Sequence, residues 1–165
     1  MDTNTAIQTA EELLKPWIIS SSTPQEFRFD VVIAPENLHT TVTTLCENHW
    51  GYLIAITGID RPAPQENGEP TAENQIEVLY HFGEGAAITT LHIFMPYSQL
   101  AIDSVCDLIP SASMYERELM EMLGVNIIDT PDRNKLVLPD EWPDGVYPLR
   151  KSFTGLKQVT FEEYE

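Results

Sequence analysis

The sequence predicts an α+β two-layer sandwich: a mostly antiparallel four-stranded sheet with helices on one face, plus an extended C-terminal arm. Three observations predict it. Behind a short N-terminal helix, the apolar periodicity runs strand–helix–strand–strand–strand–helices. Gly83-Glu84-Gly85 separates two strand-like runs and reads as a hairpin. After Gly124 come Pro131, Pro139, Pro143 and Pro148, which remove amide donors and fix an extended course. The chain has 165 residues, which favours one domain, or one domain with an arm. The division is 1–124 for the core and 125–165 for the arm.

Thr5 to Trp17 carries Ile7, Ala10, Leu13 and Leu14 on one helical stripe, with Pro16 near its end. Phe27, Phe29, Val31 and Ile33 alternate with Arg28, Asp30 and Val32, the pattern of a half-buried strand. Pro35-Glu36-Asn37 opens a helix to about Trp50, with Leu38, Val42, Leu45 and His49 inward and Gly51 as its stop. Tyr52 to Thr57 is nearly continuously apolar and is predicted as a central strand. Gly58 to Asn74 is a polar loop with three prolines. Gln75 to Phe82 and Ala87 to Phe94 form the hairpin strands, and Pro96 ends the second. Leu100 to Leu108 is predicted helical, with Ile102, Val105, Cys106 and Ile109 inward.

Hydrophobic residues make up 42% of the chain, enough for a core. The formal charge of -17 argues against nucleic acid and against contact with an anionic membrane surface, and calls for a partner that is basic where it docks. Only Lys15, Arg28 and Arg61 are basic before residue 117, whereas Arg117, Arg133, Lys135, Arg150, Lys151 and Lys157 follow. That asymmetry fits a mixed-charge tail, or basic residues gripping carboxylates in this chain or a neighbour. Two cysteines and an acidic N-terminal stretch without an apolar run predict a reducing, cytosolic setting. No apolar run approaches the ~20 residues that span a bilayer, so any membrane association passes through partners.

The sequence carries no recognisable catalytic motif. The glycines form neither a phosphate-binding loop nor a dinucleotide fingerprint. Two cysteines cannot hold an iron–sulfur cluster unaided. His39, Cys46 and His49 are the best metal candidates, but they lie along an apolar helical stripe where core packing is the simpler role. His81 and His92 sit on adjacent strands with no acid nearby in sequence and read as surface or edge polarity.

Met114 to Leu123 carries more information. At about 100° per residue, Met122, Tyr115, Leu119, Leu123 and Met120 gather into one apolar arc. Arg117, Glu118 and Glu121 lie opposite, with Arg117 and Glu121 spaced to pair. Glu116 falls between Leu123 and Met120. Either the helix is half-covered and Glu116 reaches solvent, or Glu116 forms a structural ion pair with Arg150 or Lys151 that clamps the arm. The arm carries Val137, Leu138, Trp142 and Tyr147 between its prolines. It crosses its own domain or inserts into a partner, with Trp142 and Tyr147 as anchors.

The ordered set Tyr115, Glu116, Arg117, Glu118, Gly124, Pro131, Asp132, Leu138, Pro139, Trp142, Pro148, Leu149, Arg150 and Lys151 resembles the signature of the C subunit of complex I (NADH:quinone oxidoreductase). It also resembles the related subunit of membrane-bound energy-converting hydrogenases. The upstream pattern, from the Asp30 strand through Ile59-Asp60 to Ser104 and Pro110, is similar too. The resemblance implies a scaffold subunit with no cofactor of its own, docked on a catalytic large subunit beside a small iron–sulfur subunit. Iron–sulfur clusters and a nickel–iron centre or quinone are then expected in the partners. It places the chain peripherally on the cytoplasmic side of the membrane, with Tyr115, Glu116, Arg117, Glu118, Trp142, Tyr147, Arg150 and Lys151 in structural or partner-binding roles. Leu123 stands where the family usually has Phe, Asp129-Thr130-Pro131 replaces Gly-His-Pro, and Glu121 stands where aspartate is common. These departures lean towards a hydrogenase-like or other divergent relative. The alternative reading is a stand-alone protein-binding module of the same fold.

Overall fold

The computed structural model describes residues 2–67 and 69–156; Lys157 and the end of the predicted arm lie outside them. In chain order the elements are α1 (Thr3–Leu14), β1 (Ser20–Ser22), β2 (Arg28–Val32), α2 (Leu38–Glu47), β3 (Tyr52–Arg61), β4 (Gln65–Glu66), β5 (Glu69–Pro70), β6 (Gln75–Glu84), β7 (Ala87–Pro96), β8 (Ala101–Asp103), α3 (Ala112–Leu123) and β9 (Asn126–Ile128). Asp2 caps α1 through the Thr5 N–H, and Gly124 at φ +74 closes α3 as the sequence requires; α2 instead ends at Glu47, short of the expected Trp50, with His49 already at φ +50 before Gly51.

The class is α+β, but the sheet has five strands in the order β1-β2-β7-β6-β3 and is mixed. β2 pairs parallel with β7, while β3, β6 and β7 form an antiparallel meander. The reason is topological. The chain crosses over through α2 from β2 to β3, and the meander returns into the gap between those two strands. This puts β3 at the sheet edge instead of its centre, with Tyr52 66% and Ile54 38% exposed. Its apolar character serves α3, whose Leu119 and Leu123 press onto Gly58 so closely that a Cβ there would lie 2.7 and 2.2 Å from their methyl groups.

The core lies between the helices and one sheet face. Phe29 and Val31 of β2, Ile76, Val78, Tyr80 and Phe82 of β6, and Leu91, Ile93 and Met95 of β7 meet Ala10, Leu14, Leu38, Val42 and Leu45 of α1 and α2. Trp50 is buried as well, and its Nε1 donates to the Ala6 carbonyl at 2.9 Å. On the other sheet face, the histidines predicted to lack an acid have neighbours. His92 Nδ1 lies 2.7 Å from Glu77 Oε1, and Arg61 Nε donates to Glu77 Oε2 at 2.6 Å. His81 reaches Thr90, and burial lowers its proton affinity.

The predicted Leu100–Leu108 helix does not form. Ala101–Asp103 is instead a short strand paired parallel with Asn126–Ile128, and the amides that would continue a helix are used elsewhere. Ser104 N–H donates to Ile128 and Val105 N–H to the Glu116 carboxylate. Ile102, Val105 and Cys106 are nevertheless buried, as their spacing indicated.

Candidate partner-docking site

The site is built on α3, with the sheet on one side and the arm on the other. Glu116 is fully buried, because it faces the apolar side of the helix. Neither Arg150 nor Lys151 pairs with it. Its oxygens accept the Ser104 hydroxyl at 2.8 and 3.0 Å, the Val105 N–H at 2.8 Å and the Cys106 thiol at 3.1 Å. Neutral donors thus replace the predicted cation, and a carboxylate so hydrogen-bonded is tolerated in a core. Burial, with the Glu116 charge adding to it, pushes the Cys106 thiol up to about 11. Burial and the same charge raise the Tyr80 phenol.

Arg117 does not pair with Glu121. Its Nε and Nη2 donate to the carbonyls of Asn134 and Lys135, each at 2.8 Å, and Nη1 lies 3.2 Å from Asp132. Glu121 in turn accepts the N–H groups of Leu136, Val137 and Leu138 at 2.7–3.2 Å. The helix therefore holds the arm by its main chain, from both sides of one turn. Tyr115 Oη donates to the Ile54 carbonyl at 3.0 Å, and Glu118 is exposed.

Further along, Lys135 Nζ donates to the carbonyls of Asp140 and Trp142 at 2.9 Å. Trp142 Nε1 donates to Val146 O at 2.8 Å, and its ring packs 6.1 Å from that of Phe153. Leu149 N–H donates to Met122 O and Arg150 Nε to Leu123 O, so two carbonyls left open by the last turn of α3 are satisfied by the arm. The Arg150 guanidinium also lies over the rings of Tyr97 and Tyr147, at 4.6 and 4.3 Å from their centres. Lys151 contributes its main-chain N–H to Asp60 Oδ2 at 2.7 Å, while Tyr97 Oη donates to Asp60 Oδ1. Burial and the Asp60 hydrogen bond push the Tyr97 phenol up to about 12.

The described part of the arm, to residue 156, thus lies along its own domain. Val137 and Leu149 remain 60% and 54% exposed on it. The sequence marks α3 and its charges, but not Asn134, Tyr97 or the hydrogen bond that Cys106 makes to Glu116. Asp60 and Ser104 were visible only as positions of the family pattern. The metal candidates do not converge: His39 pairs with Asp107, and His49 lies beyond the end of α2, exposed. Among the described residues no group of three His, Cys, Asp or Glu side chains could hold a metal ion, and no helix is long and apolar enough to cross a membrane.

The described residues define a mixed-sheet α+β domain in which charges on the third helix fasten a proline-rich C-terminal segment. Residues 31–159 match the family described as the respiratory-chain NADH dehydrogenase, 30 Kd subunit, and the chain belongs to that family. It is 32% identical over 85 residues to the membrane-bound hydrogenase subunit beta of Pyrococcus furiosus, covering 52% of this chain and 49% of that protein. It is 33% identical over 119 residues to the C subunit of the NADH-quinone oxidoreductase of Parvibaculum lavamentivorans, covering 70% of this chain and 54% of that one. The matches therefore span about half the length of these two curated relatives. A chain of the membrane-bound sulfane sulfur reductase, an archaeal respiratory membrane complex, superposes with a TM-score of 0.72 at 21% identity, covering 88% of this chain and 84% of that one; at that identity the likeness is one of fold.

Proposed function

We propose that this chain is a non-catalytic scaffold subunit of a membrane-associated redox complex, of the NADH:quinone oxidoreductase or energy-converting hydrogenase type. It docks on the catalytic large subunit, beside a small iron–sulfur subunit, and supports electron transfer coupled to ion translocation. The iron–sulfur clusters, and the nickel–iron centre or quinone, belong to those partners. The chain sits peripherally on the cytoplasmic side and meets the membrane only through them. Trp142, Tyr147, Arg150 and Lys151, with the helix residues Tyr115 to Glu118, form or support the contact.

One observation carries this reading beyond family membership. Glu121 and Arg117 hold the main chain of residues 134–138 of the arm, while Val137 and Leu149 stay exposed where a partner can reach them. Preordering a contact segment removes part of the entropy cost of association.

The test is purification through an affinity tag on this chain from its native membranes. The expected result is stoichiometric recovery of a large subunit and an iron–sulfur subunit, with the metal in those partners. Recovery of the chain alone, or turnover of a redox substrate by the isolated chain, overturns the reading.

A further inference from the structure

β3 ends the five-stranded sheet, and among the described residues only β6 pairs with it. Half of its main-chain donors and acceptors therefore face outward, as on any edge strand. Such edges are normally blunted, and this one is blunted at its beginning, while the arm's Lys151 lies against Asp60 near its end. A bulge interrupts the register between Leu53 and Ala55, and Tyr115 Oη occupies the Ile54 carbonyl. From Ala55 to Arg61 the register is regular and unbroken.

Beside this free edge runs a groove of about 260 Å³ between β3 and α3. Ile56, Gly58, Tyr115, Met122 and the exposed Leu149 of the arm line it, and Glu118 is its one charged lining residue. Glu118 is exposed and has no hydrogen bond or ion pair among the described residues. Glu121, three residues on, is fully engaged with the arm. The signature helix therefore leaves one carboxylate unspent, and it stands at an apolar groove beside an open sheet edge.

We infer that an extended segment of the partner subunit adds to the free edge of β3 as a sixth strand, seats apolar side chains in the β3–α3 groove, and places a lysine or arginine against Glu118. The occupant follows from three observations. The edge offers main-chain hydrogen bonds, which an extended strand satisfies and a helix does not. The groove has room for a few side chains and not for a folded lobe. Its charge is negative in a chain of net charge -17, so a second copy pairing through the same edge and groove would set another Glu118 against the first. Leu149 makes the groove continuous with the arm. The inference rests on the subunit reading above and names the chemistry of the partner at that surface.

The experiment compares hydrogen exchange of the chain alone and in the complex purified through its tag, together with a Glu118→Lys variant. Amides between Ala55 and Ile59 are expected to exchange at least about tenfold more slowly in the complex. Glu118→Lys should fold normally and retain roughly tenfold less large subunit after a salt wash. If the wild-type chain retains its partner while these amides exchange at unchanged rates, or while Glu118→Lys binds like wild type, this inference fails and the subunit reading stands. If the wild-type chain retains no partner, both fail. A cross-link from a Thr57→Cys variant that joins two copies of the chain also overturns it.

Discussion

Glu116 Oε1 accepts the main-chain N–H of Val105 at 2.8 Å, across a separation of eleven residues and inside the core. The bond ties α3 to the turn after β8, and Ser104 and Cys106 donate to the same carboxylate. The charge of Glu116 is thus a folding element of the α3–β8 contact. In Glu116→Gln an amide NH₂ would face these donors and leave at least one of them unpaired. A loss of about 1–3 kcal/mol is expected in urea unfolding. An unchanged midpoint would show that this network contributes nothing.

Glu121→Ala removes acceptors from three consecutive amides of the arm and touches no core residue. At a half-exposed carboxylate such hydrogen bonds contribute roughly 0.5–1.5 kcal/mol each, so losing three should raise local opening of residues 133–138 by tenfold or more. Trypsin cuts after Arg133 and Lys135, which lie beside this clamp. Cleavage there should accelerate about tenfold, with the core transition nearly unmoved.

Cys106 makes a pH signature. Its thiol is pushed up from an ordinary value near 9 to about 11, first by burial and further by Glu116. Below pH 9 the folded and unfolded chains both hold the proton, and this stabilisation is fully present. Between 9 and 11 the unfolded chain gives up its proton first, so stability falls as pH rises through that window. A Cys106→Ala variant should show a shallower fall over the same window in denaturant titrations. In the native wild-type chain, Cys106 should also stay unreactive to thiol reagents at neutral pH.

The elements with local causes were legible in the sequence. The end of α3 follows from Gly124, and the β6–β7 hairpin from its alternation and glycines. What failed depended on distant partners. β3 reads as a central strand because α3 and the arm supply its apolar neighbours, and β8 reads as a helix because its true partner, β9, follows α3. The charged residues failed for a different reason. Sequence reasoning paired Glu116 and Arg117 with other charges, whereas both bind mostly uncharged donors and acceptors, and Glu121 and Arg150 bind the main chain. Every residue carries those main-chain groups, so nothing in the side-chain pattern marks the ones that will be used.

Gly124 tests how the arm is fastened. It closes α3 in the left-handed region at φ +74, and a Cβ there would stand 2.4 Å from the Tyr147 ring and 2.7 Å from Arg150 Nη2. Gly124→Ala therefore carries two costs, a backbone cost of about 1 kcal/mol and the displacement of Tyr147 and Arg150. The second can be isolated, because in a Tyr147→Ala background the ring is gone and mainly the backbone cost should remain. The two substitutions should then be non-additive by roughly 1 kcal/mol in unfolding free energy. Additive effects would mean that Tyr147 moves aside freely and that the arm is not seated on the end of α3. Non-additivity would tie the seating of Tyr147 and Arg150 to the one residue at that position without a side chain.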